Sequence, residues 1–143
     1  MKPSAKLLVE WECTQLCYRF AHHVDTGNFD AMISLFVPDG VFDRVGQRLT
    51  GHEQMRVAYR DRPKGLTTRH IVTNVCFLHA QPDRAEAFVY NLTYHASGDA
   101  SGQPLVYASQ NGRFIDFHDH YELTADGWRF SSREARPIFL SQD

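Results

Sequence analysis

Cysteine is scarce in this sequence: only three of the 143 residues are cysteines, which is an odd number. That count does not suit a framework of paired disulfides and favours a reducing compartment. No stretch approaches the about 18 consecutive apolar residues of a membrane helix. Residues 1–6, MKPSAK, do not lead into the apolar segment that a signal peptide contains. We therefore expect a cytoplasmic protein with no membrane partner.

An excess of one charge sign is missing as well. The 15 Lys and Arg residues nearly balance the 17 Asp and Glu residues, which leaves a formal net charge of −2. This balance gives no electrostatic reason to expect nucleic acid as a partner. Apolar residues make up 43% and charged residues 22% of the chain, which is ordinary for a globular protein. With no repeat or linker in view, we expect one domain spanning residues 1–143.

The order of the predicted elements favours the α+β class. Apolar periodicity predicts helices over residues 4–25, 29–36 and 51–60, the first ending at a turn that contains Gly27. Alternating patterns predict strands over residues 41–45, 69–78, 84–95, 110–123 and 128–139. Helices that precede a meander of strands are expected to cover one face of a curved, mostly antiparallel sheet. Such a cone leaves a pocket at its open end.

The strand at residues 69–78 carries polar groups on an otherwise apolar row. With a period of two, His70, Val72, Asn74 and Cys76 share one face. If that face is buried, the histidine and the asparagine need hydrogen-bond partners. His70 is then either a structural histidine bonded inside the core or the proton carrier of an internal pocket.

Five segments in order resemble one family: DTGNFD at 25–30, LFVPDGVFD at 35–43, GHE at 51–53, RHIVTNV at 69–75 and DGWRF at 126–130. Together they resemble the SnoaL-like domain of the nuclear transport factor 2-like superfamily. The resemblance implies a cone-shaped α+β barrel with N-terminal helices packed in the curved sheet. Within the superfamily, the chain is most similar to the subgroup of scytalone dehydratase, hexachlorocyclohexane dehydrochlorinase and the bile-acid dehydratases.

Members of that subgroup pair an aspartate at the end of the first helix with a histidine at the start of a central strand. Asp25 and His70 occupy those positions, so the resemblance implies that His70 takes a proton while Asp25 orients its ring. A small, cofactor-free lyase (dehydratase-like) or isomerase acting on a small hydrophobic cyclic molecule is the expected function. The same fold also serves as a non-catalytic ligand-binding module, or as the β subunit of aromatic-ring-hydroxylating dioxygenases. The resemblance further implies a homo-oligomer, either a dimer or a trimer.

The substrate-recognition residues of scytalone dehydratase are not kept. Its tyrosine pair meets Val24 and Arg44 here, and its serine and asparagine meet Ile115 and Phe117. The resemblance therefore implies a substrate other than scytalone.

Five further residues are expected to contact the ligand: His95, Asp43, Asp119, Tyr18 and Asn74. His95 falls on the position of a second pocket histidine. Asp43 lies in a stretch similar to the base segment of ketosteroid isomerase and is expected at the pocket mouth. Asp119 is expected to face the pocket and assist the dyad. Tyr18 lies on the same side of the first helix as Asp25, and Asn74 shares the face of His70.

A second chemical pattern lies in the strand at residues 110–123. Asp116, His118 and His120 share one face, which is a His/His/carboxylate set of the kind that binds zinc. The resemblance, however, implies that the alternate residues face the pocket, so these histidines are expected to point outward or toward a subunit partner, without a metal. Three arginines on the last strand, Arg129, Arg133 and Arg136, are expected either to clamp an acidic substrate or to keep a sheet edge soluble.

Overall fold

A computed structural model describes residues 1–106 and 112–139 of the chain. Three helices form, α1 (Pro3–Asp25), α2 (Phe29–Ile33) and α3 (Gly51–Arg60). Six strands complete the fold: β1 (Phe36–Arg44), β2 (Gln47–Thr50), β3 (Leu66–Ala80), β4 (Arg84–Ser97), β5 (Gly112–Thr124) and β6 (Gly127–Pro137). The predicted α+β class is confirmed. Residues 110 and 111, where the β5 prediction began, lie outside the described residues.

The strands make one curved, mixed sheet in the order β2-β1-β6-β5-β4-β3. Neighbouring strands run antiparallel except β1 and β6, which are parallel. Within the described residues the sheet does not close on itself, so its two faces differ. We call the face that α1 covers the inner face and the opposite one the outer face. In the described part of the chain, no helix is long and apolar enough to cross a membrane.

Helix α1 fills the inner face with one continuous apolar stripe. The stripe consists of Val9, Cys13, Leu16, Cys17, Phe20, Ala21 and Val24, all buried. Pro3 stands in the first turn, where a missing N–H costs nothing, and Gly27 ends the helix with φ 72°. Cys13 and Cys17 lie in this stripe as buried free thiols, whereas Cys76 on the sheet is exposed. Because only one side of a helix can touch the sheet, the stripe through Trp11 and Tyr18 is exposed instead.

The second helix is shorter than its pattern predicts. It ends at Ile33, and Phe36 already belongs to β1, paired in register with Phe130 of β6. The Phe130 N–H donates to the Leu35 carbonyl over 2.8 Å, so strand pairing and burial override the helical pattern. The register then shifts before Val41. At this shift Gly40 is needed, because a Cβ there would meet the Val37 carbonyl oxygen at 2.9 Å.

Strand β3 contains a bulge that changes which residues face the helix. Asn74 has φ 50°, a conformation that asparagine tolerates better than most residues. The pairing with β4 shifts between Thr73 and Cys76, as expected when one extra residue enters a strand. Val75 and Phe77 therefore pack against the core, while Asn74 and Cys76 are exposed. The predicted strict alternation through Asn74 and Cys76 is wrong beyond residue 73.

Candidate active site

Asp25 and His70 meet where the last turn of α1 lies over the start of β3. The Asp25 Oδ1 atom is 2.5 Å from His70 Nδ1. The other carboxylate oxygen, Oδ2, accepts the His70 backbone N–H at 2.9 Å. The Thr68 hydroxyl donates to Oδ1 over 2.9 Å. Three donors thus hold the carboxylate in one orientation, and both side chains of the pair are largely buried, 12% and 13% exposed.

This hydrogen bonding determines which ring nitrogen of His70 is basic. An ionised carboxylate only accepts hydrogen bonds, so Nδ1 carries the proton and Nε2 keeps its lone pair. Within residues 1–106 and 112–139, no hydrogen-bond partner contacts Nε2. Burial alone raises the pKa of Asp25, but the hydrogen bonds and charge of His70, helped by Thr68, lower that pKa below its ordinary value. Asp25 is therefore ionised near neutral pH and can stabilise an imidazolium.

The stability that ionised Asp25 provides is expected to be lost in acid. Its pKa is lower in the folded chain than the ordinary value of 3.8, so the unfolded chain takes up the proton at a higher pH. The contribution is complete above the ordinary pKa and vanishes as the pH falls through the lowered folded value. Urea denaturation of the chain and of Asp25→Asn between about pH 5 and pH 2 measures this loss. A stability difference that stays constant over this acid range would contradict the assignment.

The His70 ring lines a cavity of about 1000 Å³ between α3 and the sheet. Its apolar wall includes Val24, Leu49, Ala58, Leu66 and Ile115. Its polar wall includes Thr68, Thr93, His95 and the side chains Arg44, Arg62 and Arg113. A cavity of this size holds a ligand with several rings. The lining also includes Glu53 and Asp61, so the cavity joins a basic nitrogen, an apolar wall and charged groups of both signs.

From the sequence, only Arg44 was placed at a substrate-recognition position, while Arg62 and Arg113 were not singled out. Arg44 lies over the Tyr59 ring, with its guanidinium carbon 4.9 Å from the ring centre. Arg62 lies 5.2 Å from the centre of the Phe29 ring and donates to the Val24 carbonyl over 3.4 Å. Stacking on aromatic faces orients both groups. An arginine in a strand pattern gives no sign of this role, since exposed arginines are common.

His95 lines the same cavity as His70. It lies opposite Thr68 in the register of β3 and β4. Asn91, two strand positions before Thr93, is also buried on the inner face, and its Oδ1 lacks a hydrogen-bond partner among the described residues. Its amide nitrogen donates to the Thr93 hydroxyl over 2.7 Å. Asn91 is a polar group that the sequence reasoning missed.

The other four predicted contact residues lie away from this cavity. Tyr18 is 46% exposed, because it lies one residue, about 100° around the helix, from the buried Cys17. Asn74 is exposed at the bulge. Asp43 accepts the Gly46 N–H over 3.2 Å and shapes the β1–β2 turn, although the adjacent Arg44 lines the cavity. These placements correct the prediction for all three residues.

Asp119 does face inward, but its carboxylate is already engaged. It is fully buried and forms two hydrogen bonds with the guanidinium of Arg133, at 2.8 and 3.0 Å. The Tyr121 hydroxyl donates to Asp119 Oδ2 over 2.9 Å. Burial raises the pKa of the neighbouring Cys17 thiol to about 12, so this thiol is not a nucleophile. Asp119 and Arg133 therefore belong to the core, and neither assists the dyad nor clamps a ligand.

The chain matches a family of known domains over most of its length. The family described as the SnoaL-like domain matches residues 5–134, whereas comparison with curated proteins gives no match. A candidate scytalone dehydratase from Novosphingobium aromaticivorans has a similar structure, with a TM-score of 0.81 at 16% identity. That similarity covers 96% of this chain and 89% of the other.

Two further solved structures share the fold. A hexachlorocyclohexane dehydrochlorinase, LinA type 2, matches with a TM-score of 0.77 at 15% identity, over 98% of this chain and 92% of its own. A candidate aromatic ring hydroxylase from Novosphingobium aromaticivorans matches with a TM-score of 0.76 at 19% identity, over 93% and 91%. The family match and the shared fold confirm the resemblance found in the sequence: this chain belongs to the SnoaL-like domain family.

Proposed function

We propose that this chain is a small, cofactor-free lyase or isomerase in which His70 is the general base and Asp25 its orienting partner. The observation that carries the proposal is the hydrogen bond of His70 Nδ1 to Asp25, with the ring lining a large cavity. A neutral imidazole is the side-chain base best suited to neutral pH. The similarity in fold to a dehydrochlorinase and a candidate dehydratase agrees with this chemistry.

The reaction begins with proton transfer from a substrate carbon to His70 Nε2. In an elimination, the C–H electron pair forms a new C=C bond while the leaving group departs from the adjacent carbon with its own bonding pair. In an isomerisation, the same proton returns to a different carbon of the delocalised anion. In both cases the imidazolium is stabilised by the ionised Asp25 at Nδ1.

The cavity favours a substrate with a hydrophobic ring system and one anionic or carbonyl-bearing edge. Leu49, Leu66 and Ile115 supply apolar wall, while Arg44 and Arg113 bring positive charge to the same cavity. Cationic groups fixed beside a reacting carbonyl stabilise the negative charge that develops when the proton leaves. Arg44 already donates to Gln47 Oε1 over 2.6 Å, but its other N–H groups and those of Arg113 can donate to a substrate oxygen. We therefore propose an oxygen-bearing cyclic compound.

A non-catalytic role is the alternative, and the outer face of the sheet favours it. Ile71, Phe88 and Tyr90 are between 38% and 51% exposed there. Exposed aromatic side chains in one region mark surfaces that pack against another protein chain. A β-subunit-like partner of a ring-hydroxylating dioxygenase would use such a surface, and so would a homodimer or homotrimer. In that alternative, the cavity either binds a ligand without converting it or has no function, and the Asp25–His70 pair is structural.

The test is proton exchange in D2O with a panel of cyclic ketones and halogenated or hydroxylated ring compounds. Mass spectrometry detects deuterium at the acidic carbon, or the unsaturated product of elimination. Asp25→Asn is expected to slow the reaction by up to about 10⁴-fold, the loss that follows when an amide replaces the carboxylate that orients a catalytic histidine. The matched control is Asp43→Asn, which removes a carboxylate outside the cavity and is expected to keep the full rate.

Two outcomes would count against catalysis. If no compound that binds the cavity exchanges a proton or is converted, the ligand-binding alternative leads. If Asp25→Asn and Asp43→Asn react at the same rate as the unchanged chain, the dyad is not the proton-transfer machinery. Binding is measured in parallel by the change in tryptophan and tyrosine fluorescence. This measurement distinguishes a compound that binds without reacting from one that does not bind.

A further inference from the structure

The outer face of the sheet carries a cluster of three groups that can ligate a metal. Glu86 lies on β4, and His118 and His120 lie on β5. In the strand register Glu86 is directly opposite His120. His118 is two residues earlier on the same face, so all three side chains project from one side of two central strands. The site proposed for proton transfer lies on the inner face, behind the sheet.

The three ligand atoms are close enough to share one ion. His118 Nε2 is 2.7 Å from Glu86 Oε1, and His120 Nε2 is 3.5 Å from the same oxygen. All three ligand atoms lie within 4.8 Å of one another. Around tetrahedral zinc, ligand atoms at about 2.0–2.1 Å from the ion are about 3.3 Å apart. The two observed distances lie on either side of that value, so small side-chain rotations are enough.

Neighbouring groups hold the two imidazoles in place. The Phe88 ring stacks on His118, with ring centres 4.4 Å apart. The Ser132 hydroxyl lies 3.2 Å from His120 Nδ1, which leaves Nε2 for an ion. Hydrogen bonds to the nitrogen away from the metal are a regular feature of metal-bound histidines. The ligands therefore stand on a rigid sheet with part of their orientation already determined.

We propose that Glu86, His118 and His120 bind one divalent transition metal ion of the zinc type. Two imidazoles and one carboxylate are the ligand set that zinc takes in sites with an open fourth position. The side chains of His118 and His120 are 33% and 46% exposed, so an ion can enter and water can complete its coordination. The ion would link β4 to β5 at the level of the aromatic surface formed by Phe88.

The proposal departs from the expectation that this strand binds no metal. The sequence pattern offered Asp116 as the carboxylate, because it shares a face with both histidines. The structure instead brings in Glu86, which is 32 residues from His118 along the chain, since β4 and β5 are paired antiparallel. Asp116 lies opposite Tyr90 in that register. The competing explanation is that Glu86 only accepts hydrogen bonds from the two histidines and binds no ion.

Zinc titration of the untagged, chelator-treated chain separates the two explanations. Isothermal calorimetry is expected to show one saturable equivalent per chain, and Co²⁺ is expected to give visible absorption bands that Zn²⁺ abolishes. His118→Ala and His120→Ala are each expected to weaken binding by more than about 100-fold, beyond the effect of losing an outer-sphere partner. His22→Ala, which removes an exposed histidine from α1, is the matched control and is expected to bind zinc normally.

Glu86→Gln keeps the size of the side chain and removes its charge, so it tests the carboxylate without disturbing the sheet. It is expected to weaken zinc binding at least about tenfold, with an unchanged circular dichroism spectrum. Absence of saturable binding to the unchanged chain would overturn the proposal. So would equal binding by the His118→Ala/His120→Ala double variant. Because the cluster is on the outer face, neither result depends on whether His70 acts as a base.

Discussion

Replacing His70 by alanine is expected to reduce the rate of proton abstraction by about 10²–10⁴-fold, the contribution of a positioned general base. Asp25 orients the His70 ring through a 2.5 Å hydrogen bond to Nδ1, and His70 lines the cavity. His95, the other histidine in the cavity wall, has no carboxylate partner among the described residues. The measurement is the rate of deuterium incorporation, or of product formation, with whichever ring compound the unchanged chain converts.

A structural role for His70 predicts a different set of results. If the ring serves only to satisfy Asp25, His70→Ala lowers the free energy of unfolding, and the rate falls only as the folded fraction falls. If the ring is the base, added imidazole enters the vacated space and restores part of the rate. His95→Ala is the matched control, because it removes a second imidazole from the same cavity. An equal loss of rate in both variants, without imidazole rescue, would contradict the assignment of His70.

Much of the candidate site could be predicted because its two main residues are set by local signals. Gly27 adopts a positive φ and ends α1, and this places Asp25 at the last position of the helix. The start of β3 follows from a run of β-branched residues after a turn, and that places His70 near its beginning. Five sequence segments in order then indicated the family, whose fold brings these two ends together.

The residues that could not be predicted depend on strand register. Asn74, in the left-handed region, reverses the faces of β3 as far as Phe77, where the pairing shifts again. No periodicity reveals an inserted residue before the pairing is known. Glu86 meets His118 only through the pairing of β4 with β5. Arg44 and Arg62 reach the cavity from a strand end and a helix-following turn. Each of these contacts joins residues that are distant in sequence.

The buried pair of Asp119 and Arg133 gives the second large expectation: Asp119→Ala should lower the free energy of unfolding by about 3–5 kcal/mol. The guanidinium is 1% exposed and lies among the rings of Phe20, Phe117 and Phe130, at 4.5, 3.8 and 4.6 Å from their centres. Removing the carboxylate leaves a charged group in the core without its partner. Urea denaturation followed by circular dichroism measures the loss.

A double replacement tests whether the ion pair adds net stability to the fold or only compensates the cost of burying its two charges. Asp119→Leu with Arg133→Met keeps the approximate volume and removes both charges, and such exchanges are often neutral or stabilising by about 1–4 kcal/mol. The exposed pair of Glu53 and Arg56, 3.5 Å apart, is the control, because Glu53→Ala is expected to cost less than about 1 kcal/mol.

If Asp119→Ala alone costs no more than this surface change, the charge pair is not the interaction that holds β5 to β6 beneath α1. If the single change is severe and the double change is mild, the cost belongs to the unpaired charge. The ion pair then adds little stability compared with an apolar core, and its role is to specify one packing arrangement of the core. Phe117 packs on Arg133 and stands two residues after Ile115, which lines the cavity. If the pair supports that wall, the double variant is expected to bind cavity ligands more weakly than the unchanged chain does.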